Sequence, residues 1–172
     1  MGGERGMLVG FHHEETAQEP AMPKPVTPLI AADIIIELAD RPDRPIVLIE
    51  RKNPPYGWAI PGGFVDEGEN CENAAIREAE EETCCRVTLK ALLGIYSHPA
   101  RDNRGYTVSA VYVAEAHGEP EAADDAKSVV IVDPDNPPTP LAFDHALILE
   151  HYRQWRRDGS ITPLAAPIDQ RS

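Results

Sequence analysis

Three glutamates carry the clearest chemical signal in the chain. Glu78, Glu81 and Glu82 stand in the run Arg77-Glu78-Ala79-Glu80-Glu81-Glu82. On a helix, residues three and four apart share a face, so these three carboxylates converge. Like charges at that spacing repel by roughly 0.2–0.5 kcal/mol per pair, and three together invite a cation. Carboxylate oxygens are hard donors that suit Mg2+ or Mn2+ far better than Zn2+, and such ions usually share their coordination with substrate phosphates. A Glu-rich helix is most often only a solvated face. The residues upstream argue for more here. Gly62-Gly63 permits a tight turn that exposes backbone carbonyls beside the helix, and Glu69 stands just before the helix start.

Positioning these groups requires a helix over about 70–83. Asn70 is a suitable N-cap, and Ala74, Ala75, Ile76 and Ala79 supply helix formers and an apolar stripe. Upstream, residues 29–38 contain the β-branched run Ile34-Ile35-Ile36 and read as a buried strand. Ile46-Val47-Leu48-Ile49 reads as a second strand, joined to the first in a hairpin by a turn at 40–45. Residues 53–57 read as a loop and Pro61-Gly62-Gly63 as a sharp break. Further strands are expected at 87–96, 107–114 and 129–132, separated by a polar loop at 97–105 and an acidic loop at 118–127. After a proline-rich connector, Asp144 is placed to cap a last helix reaching about Arg156. Phe143 and Ile148 are spaced as a hydrophobic staple, and Ile148, Tyr152 and Trp155 form the helical stripe. Strands, helix, strands, helix: this order predicts an α/β layered domain with a mixed sheet between helices. Neither GxGxxG nor GxxxxGKS/T occurs, which excludes the Rossmann and P-loop readings.

The 172 residues suit one domain, and a 42% hydrophobic composition is enough to bury a core without staples. With 16 Lys and Arg against 29 Asp and Glu, the net charge of −13 argues against nucleic-acid binding and against a polybasic membrane surface. No apolar run approaches the length of a transmembrane helix. Residues 1–10 lack a secretory apolar segment, and Gly6 breaks the myristoylation pattern that Met1-Gly2 would begin. The cysteines, Cys71, Cys84 and Cys85, form neither a disulfide framework nor a CxxC pattern, so reduced thiols in a cytoplasmic protein are expected. Residues 1–25 are polar and aperiodic and are expected to be a disordered arm, in which His12 and His13 read as solvated. The domain is expected over 26–157, followed by a loose tail over 158–172.

Gly63, Glu69, Arg77, Glu78, Glu81 and Glu82 fall on the spacing Gx5Ex7REUxEExGU, and the segment resembles the Nudix box. Six fixed identities would coincide by chance at a given start roughly once in ten million. The resemblance implies an α/β/α sandwich that hydrolyses a nucleoside diphosphate linked to another group X. It implies that Glu78, Glu81 and Glu82 bind Mg2+ (or Mn2+) together with the Gly62 carbonyl. Gly63, Glu69 and Arg77 would support them, Arg77 by orienting carboxylates. Cys84 stands where the family has glycine. It removes no ligand, and the backbone angle there decides whether the helix ends as the family's does.

Segments at 55–66, 94–105, 123–126 and 141–145 look like the prokaryotic ADP-ribose pyrophosphatase subgroup. That likeness implies cleavage of ADP-ribose to AMP and ribose 5-phosphate. NADH, a dinucleoside polyphosphate or a damaged nucleoside triphosphate are alternative substrates, and a nucleotide-binding domain without turnover is the rival of another class. Arg101 and Arg104 offer guanidinium forks that match phosphate oxygens. Tyr56, Trp58 and Phe64 are candidates to stack on a base. Glu78, Glu82 and Asp125 are candidates for the general base. Relatives in this group are often dimers, so a homodimer is implied.

Overall fold

The computed structural model describes residues 26–123 and 126–166. Its organising element is β1 (Leu29–Leu38), whose run of apolar residues is buried on both faces. Alternation along the strand sends Ala32, Ile34, Ile36 and Leu38 toward α1 (Cys71–Thr83), where Ala74, Ala75 and Ala79 meet them. Ile35 faces the opposite layer and packs with Ile148, Leu149 and Tyr152 of α2 (His145–Asp158). The Tyr152 hydroxyl donates to buried Glu37 at 2.7 Å, so the charged residue on this face has a partner.

The other strands are β2 (Ile46–Arg51), β3 (Trp58–Ala59), β4 (Gly62–Phe64), β5 (Thr88–Tyr96), β6 (Thr107–Ala116) and β7 (Ala126–Val132). β1 runs parallel to β6 from Leu29↔Thr107 to Leu38↔Ala116, and β5 lies antiparallel beyond β6. β4 pairs antiparallel with the first half of β1, with Asp33 opposite Gly62. β2 meets β1 only at Glu37↔Ile46, then diverges to pair with β7 and β3. That divergence opens a cleft between β2 and the β1–β4 pair, and residues of all three strands line it. The result is the expected mixed sheet between two helices, with the expected hairpin at its centre.

Four expectations need correction. The break expected at Pro61-Gly62-Gly63 holds a short strand, Gly62–Phe64, that pairs with β1, and between it and the loop at 53–57 lies a second, Trp58–Ala59, that pairs with β2 and was not expected. Strands this short and glycine-rich carry no period of two in the sequence. The last strand begins at Ala126, three residues before its β-branched run, since Ala126 and Ser128 pair with the end of β2. Asp144 precedes α2 without capping it, because its carboxylate is bonded to Arg101 instead. The staple does not form: Phe143 has φ 53° and packs with Ile49, Ala59 and Ala142, whereas Ile148 belongs to the cluster under α2.

Asn70 caps α1 as expected, its side chain accepting from the Asn73 N–H at 2.7 Å. Beyond α2, the chain up to residue 166 is not wholly loose. Thr162 donates to the Leu93 carbonyl of β5 at 2.6 Å. The expected arm at 1–25, with His12 and His13, lies outside the described residues, as do residues 167–172. All three cysteines are free, Cys85 buried in the core and Cys84 exposed. Among the described residues, no helix is long and apolar enough to cross a membrane.

Candidate active site

Glu78 and Glu82 lie one helical turn apart and face the Gly62-Gly63 strand. The Gly62 N–H donates to Glu82 Oε2 at 2.9 Å. Burial pushes the Glu82 carboxyl up to about 8; the Gly62 bond opposes the shift and the Glu78 charge adds to it. Gly63 is small for a reason the geometry supplies. A Cβ at that position would lie 2.2 Å from Glu78 Oε1, so any side chain there would displace the carboxylate. Burial also raises Glu78, while its bond to Arg77 pulls the other way.

Arg77 ties these parts together. Its Nε and Nη2 donate to the two Glu69 oxygens at 3.1 and 3.0 Å. Nη1 donates to Glu78 at 2.7 Å and to Glu81 at 3.0 Å, and Nη2 also reaches the Phe64 carbonyl at 3.0 Å. Glu69 in turn accepts from the Asp66 N–H, and the Arg77 guanidinium holds its carboxyl below the usual range. Glu81 behaves differently from its two neighbours. Its side chain is 46% exposed, bonded to Arg77 and outside the cavity lining. Among the described residues, no group of three or more His, Cys, Asp or Glu is already gathered as a metal cage.

The cleft encloses a cavity of about 360 Å3. Glu78, Glu82 and Asp66 line it, as do Arg51, Arg104 and Phe143. The Arg51 and Arg104 guanidiniums lie 4.7 and 4.9 Å from the centroid of the Phe143 ring. Arg51 donates to the Pro55 carbonyl at 2.8 Å, and Arg104 forks onto Asp102. Arg101 is buried, with Nε and Nη2 bonded to Asp144 at 2.9 and 2.8 Å and Asp33 at 3.6 Å. Asp33 also accepts from the Ser109 hydroxyl at 2.5 Å, and burial lifts its carboxyl to about 6.

Phe64, Arg101 and Arg104 therefore line the cavity. Tyr56 is exposed and outside the lining, and Trp58 packs on the core beneath α2. Asp125 lies outside the described residues. Sequence reasoning passed over Asp33, Arg51, Asp102, Phe143 and His145, which all line the cavity. Asp33 did leave a signal: a carboxylate between Ala32 and Ile34 in a buried strand must have partners or a use. Asp102, Phe143 and His145 fall in the segments 94–105 and 141–145 that carry the subgroup likeness, which gave them no role, and Arg51 left no signal, because a strand end is an ordinary place for a charged residue.

A carboxylate-bearing helix held by an arginine against a diglycine strand, on a split mixed sheet between two helices, is the architecture of one family. The chain belongs to the NUDIX domain family, whose model matches residues 28–152. The ADP-ribose pyrophosphatase of Methanocaldococcus jannaschii is 46% identical over 132 residues, covering 75% of this chain and 75% of that protein. The NUDIX domain of Shewanella oneidensis NrtR, solved with ADP ribose, superposes with a TM-score of 0.65 at 26% identity, over 75% of this chain and 88% of that one. A bifunctional NMN adenylyltransferase/ADP ribose pyrophosphatase from Francisella tularensis, solved with AMP and a Mn ion, gives a TM-score of 0.62 at 28% identity, over 78% of this chain and 43% of that one.

Proposed function

We propose that this protein hydrolyses the diphosphate bond of ADP-ribose, giving AMP and ribose 5-phosphate, with Mg2+ or Mn2+ as cofactor. One observation carries the reading: a cavity of about 360 Å3 is lined both by the Glu78 and Glu82 carboxylates and by Arg51 and Arg104. The likeness to the M. jannaschii pyrophosphatase supplies the substrate.

The residues present fit a divalent cation. Glu82 is buried with a backbone N–H as its hydrogen-bond partner, and its raised affinity for a proton marks a carboxylate short of positive charge. Glu78, Glu81 and Glu82 with the Gly62 carbonyl would hold the ion, Glu81 turning from its present bond with Arg77. Once bound, the ion would screen the diphosphate and acidify water.

The chain's own groups do the rest. Arg77 fixes Glu78 and braces the Phe64 carbonyl strand against the helix. Gly63 leaves room for Glu78. Arg51 and Arg104 offer positive charge to the phosphate oxygens, and Phe64 an exposed ring for the base. Arg101, bonded to Asp144, holds the wall of the cavity rather than the substrate. A carboxylate takes the proton of the attacking water, with Glu78, Glu82 and Asp125 as the candidates. The Ala123 N–H bonded to the Glu82 carbonyl supports a loop docked at the helix end. We further read the enzyme as cytoplasmic and homodimeric, acting without nucleic acid or membrane, on its charge and its resemblance.

The test is product analysis on ADP-ribose, NADH, dinucleoside polyphosphates and nucleoside triphosphates with Mg2+. ADP-ribose should give the highest kcat/KM, and EDTA should abolish turnover until Mg2+ or Mn2+ is restored. A triphosphate with higher kcat/KM would overturn the substrate, and tight ADP-ribose binding without turnover would overturn the activity.

A further inference from the structure

We propose that His145 is a substrate-binding residue, presenting a fixed Nε2–H donor to an oxygen atom of the nucleotide in the cavity. His145 opens α2, is only 2% exposed, and lines the cavity. Its Nδ1 accepts the Ile60 N–H at 3.1 Å. A ring nitrogen that accepts cannot carry the proton, so in the neutral imidazole the proton sits on Nε2. Among the described residues, Nε2 has no protein partner, yet no buried side-chain nitrogen or oxygen is left unsatisfied. Nε2 must therefore reach open space, and the open space beside this ring is the cavity.

The ring is held as well as aimed. Phe143 packs against it with centroids 5.3 Å apart, and the Ile60 bond fixes its rotation. The adjacent carboxylate, Asp144, is bonded to Arg101 and does not compete for the ring. In a cavity walled by carboxylates and guanidiniums, this is a donor that brings direction without adding charge. A phosphate oxygen and a pentose hydroxyl are both acceptors it would take.

The inference rests on the reading of the site as one for a nucleoside diphosphate. Its test is 15N–1H NMR of the histidine rings in the full chain, with Mg2+ and the non-hydrolysable α,β-methylene ADP-ribose. The His145 ring should carry its proton on Nε2 alone, and that proton should shift when the analogue binds. AMP, ribose 5-phosphate and inorganic pyrophosphate, titrated separately, identify which oxygen is met. His145→Asn supplies a second readout, because an Asn oxygen can still accept the Ile60 N–H while the outer donor is lost. KM for ADP-ribose should rise about tenfold or more, with kcat changed by less. A ring protonated on Nδ1, a bound analogue that leaves the Nε2 proton unmoved, or an unchanged KM in a folded His145→Asn would overturn the inference alone. Failure of every nucleoside diphosphate to bind would remove the functional reading and this inference with it.

Discussion

At Glu82, burial and charge work against each other. The carboxyl is pushed up to about 8 in the folded chain, so above pH 4.5 its ionisation opposes folding in the absence of metal. Glu82→Gln keeps an acceptor for the Gly62 N–H and removes the charge. It should lower kcat by orders of magnitude while leaving the melting temperature in EDTA equal to or above that of the wild type. Steady-state rates and calorimetry on one preparation decide both halves. Glu81→Gln should cost less activity than Glu82→Gln, since Glu81 stands outside the cavity lining. The spacing of these glutamates was legible because it is local to one helix. The places of Asp33 and His145 in the site were not, although Asp33 stood out as a charge in a buried strand, because they come from β1 and α2, and nothing local says that Gly62 will lie against the one and Ile60 against the other.

Elements were legible where an apolar period persists over several residues. β1, α1 and α2 have one, whereas β3 and β4, of two and three residues, exist only because neighbours offer them partners. The exit of α1 shows local strain of a predictable sign. Cys84 sits at φ 55°, in the left-handed region, with its N–H bonded to the Glu80 carbonyl. A non-glycine residue there costs on the order of 1 kcal/mol. Cys84→Gly should raise the melting temperature by about 2–4 °C and leave kcat within a few-fold. A lower melting temperature in a scan would refute the strain. The loop before β6 is bound to α2 by the buried Arg101–Asp144 pair. Removing one partner of such a pair costs about 3–5 kcal/mol, whereas an exposed pair contributes about 0–1 kcal/mol. Arg101→Met should therefore unfold at lower denaturant than Arg104→Met, because Arg104 is 45% exposed and its buried partner Asp102 keeps the backbone N–H of residue 104 as a donor. Equal midpoints would contradict this. The sequence showed both arginines near one turn but not that only one of them is buried.

For the molecule as a whole, a net charge of −13 predicts repulsion of an anionic substrate, and the cleft answers locally with Arg51 and Arg104. Acid stability follows from the same cleft. Burial lowers the His145 pKa from 6.5 to about 3; Asp144 opposes the shift, and Arg101 and Arg51 add to it. Below pH 6.5 the unfolded chain takes up a proton that the folded chain refuses, so stability falls as pH drops from 6.5 toward 3. Asp33 and Glu82, both shifted upward by burial, act in the opposite sense. The comparison of wild type with His145→Asn isolates the histidine. Melting temperatures between pH 7 and 4.5 should fall more steeply for the wild type, and parallel curves would exclude the linkage. At the far side of the molecule, β5 is the last strand of the sheet. An outermost strand offers bare carbonyls to any passing extended chain. Thr162 occupies the Leu93 carbonyl, and a Cβ on Gly94 would lie 2.8 Å from its hydroxyl oxygen, so the glycine keeps the berth open. The segment after α2 thus works as a stitch in the selvedge, covering the edge at Leu93 and Gly94, where an extended chain would otherwise begin to pair.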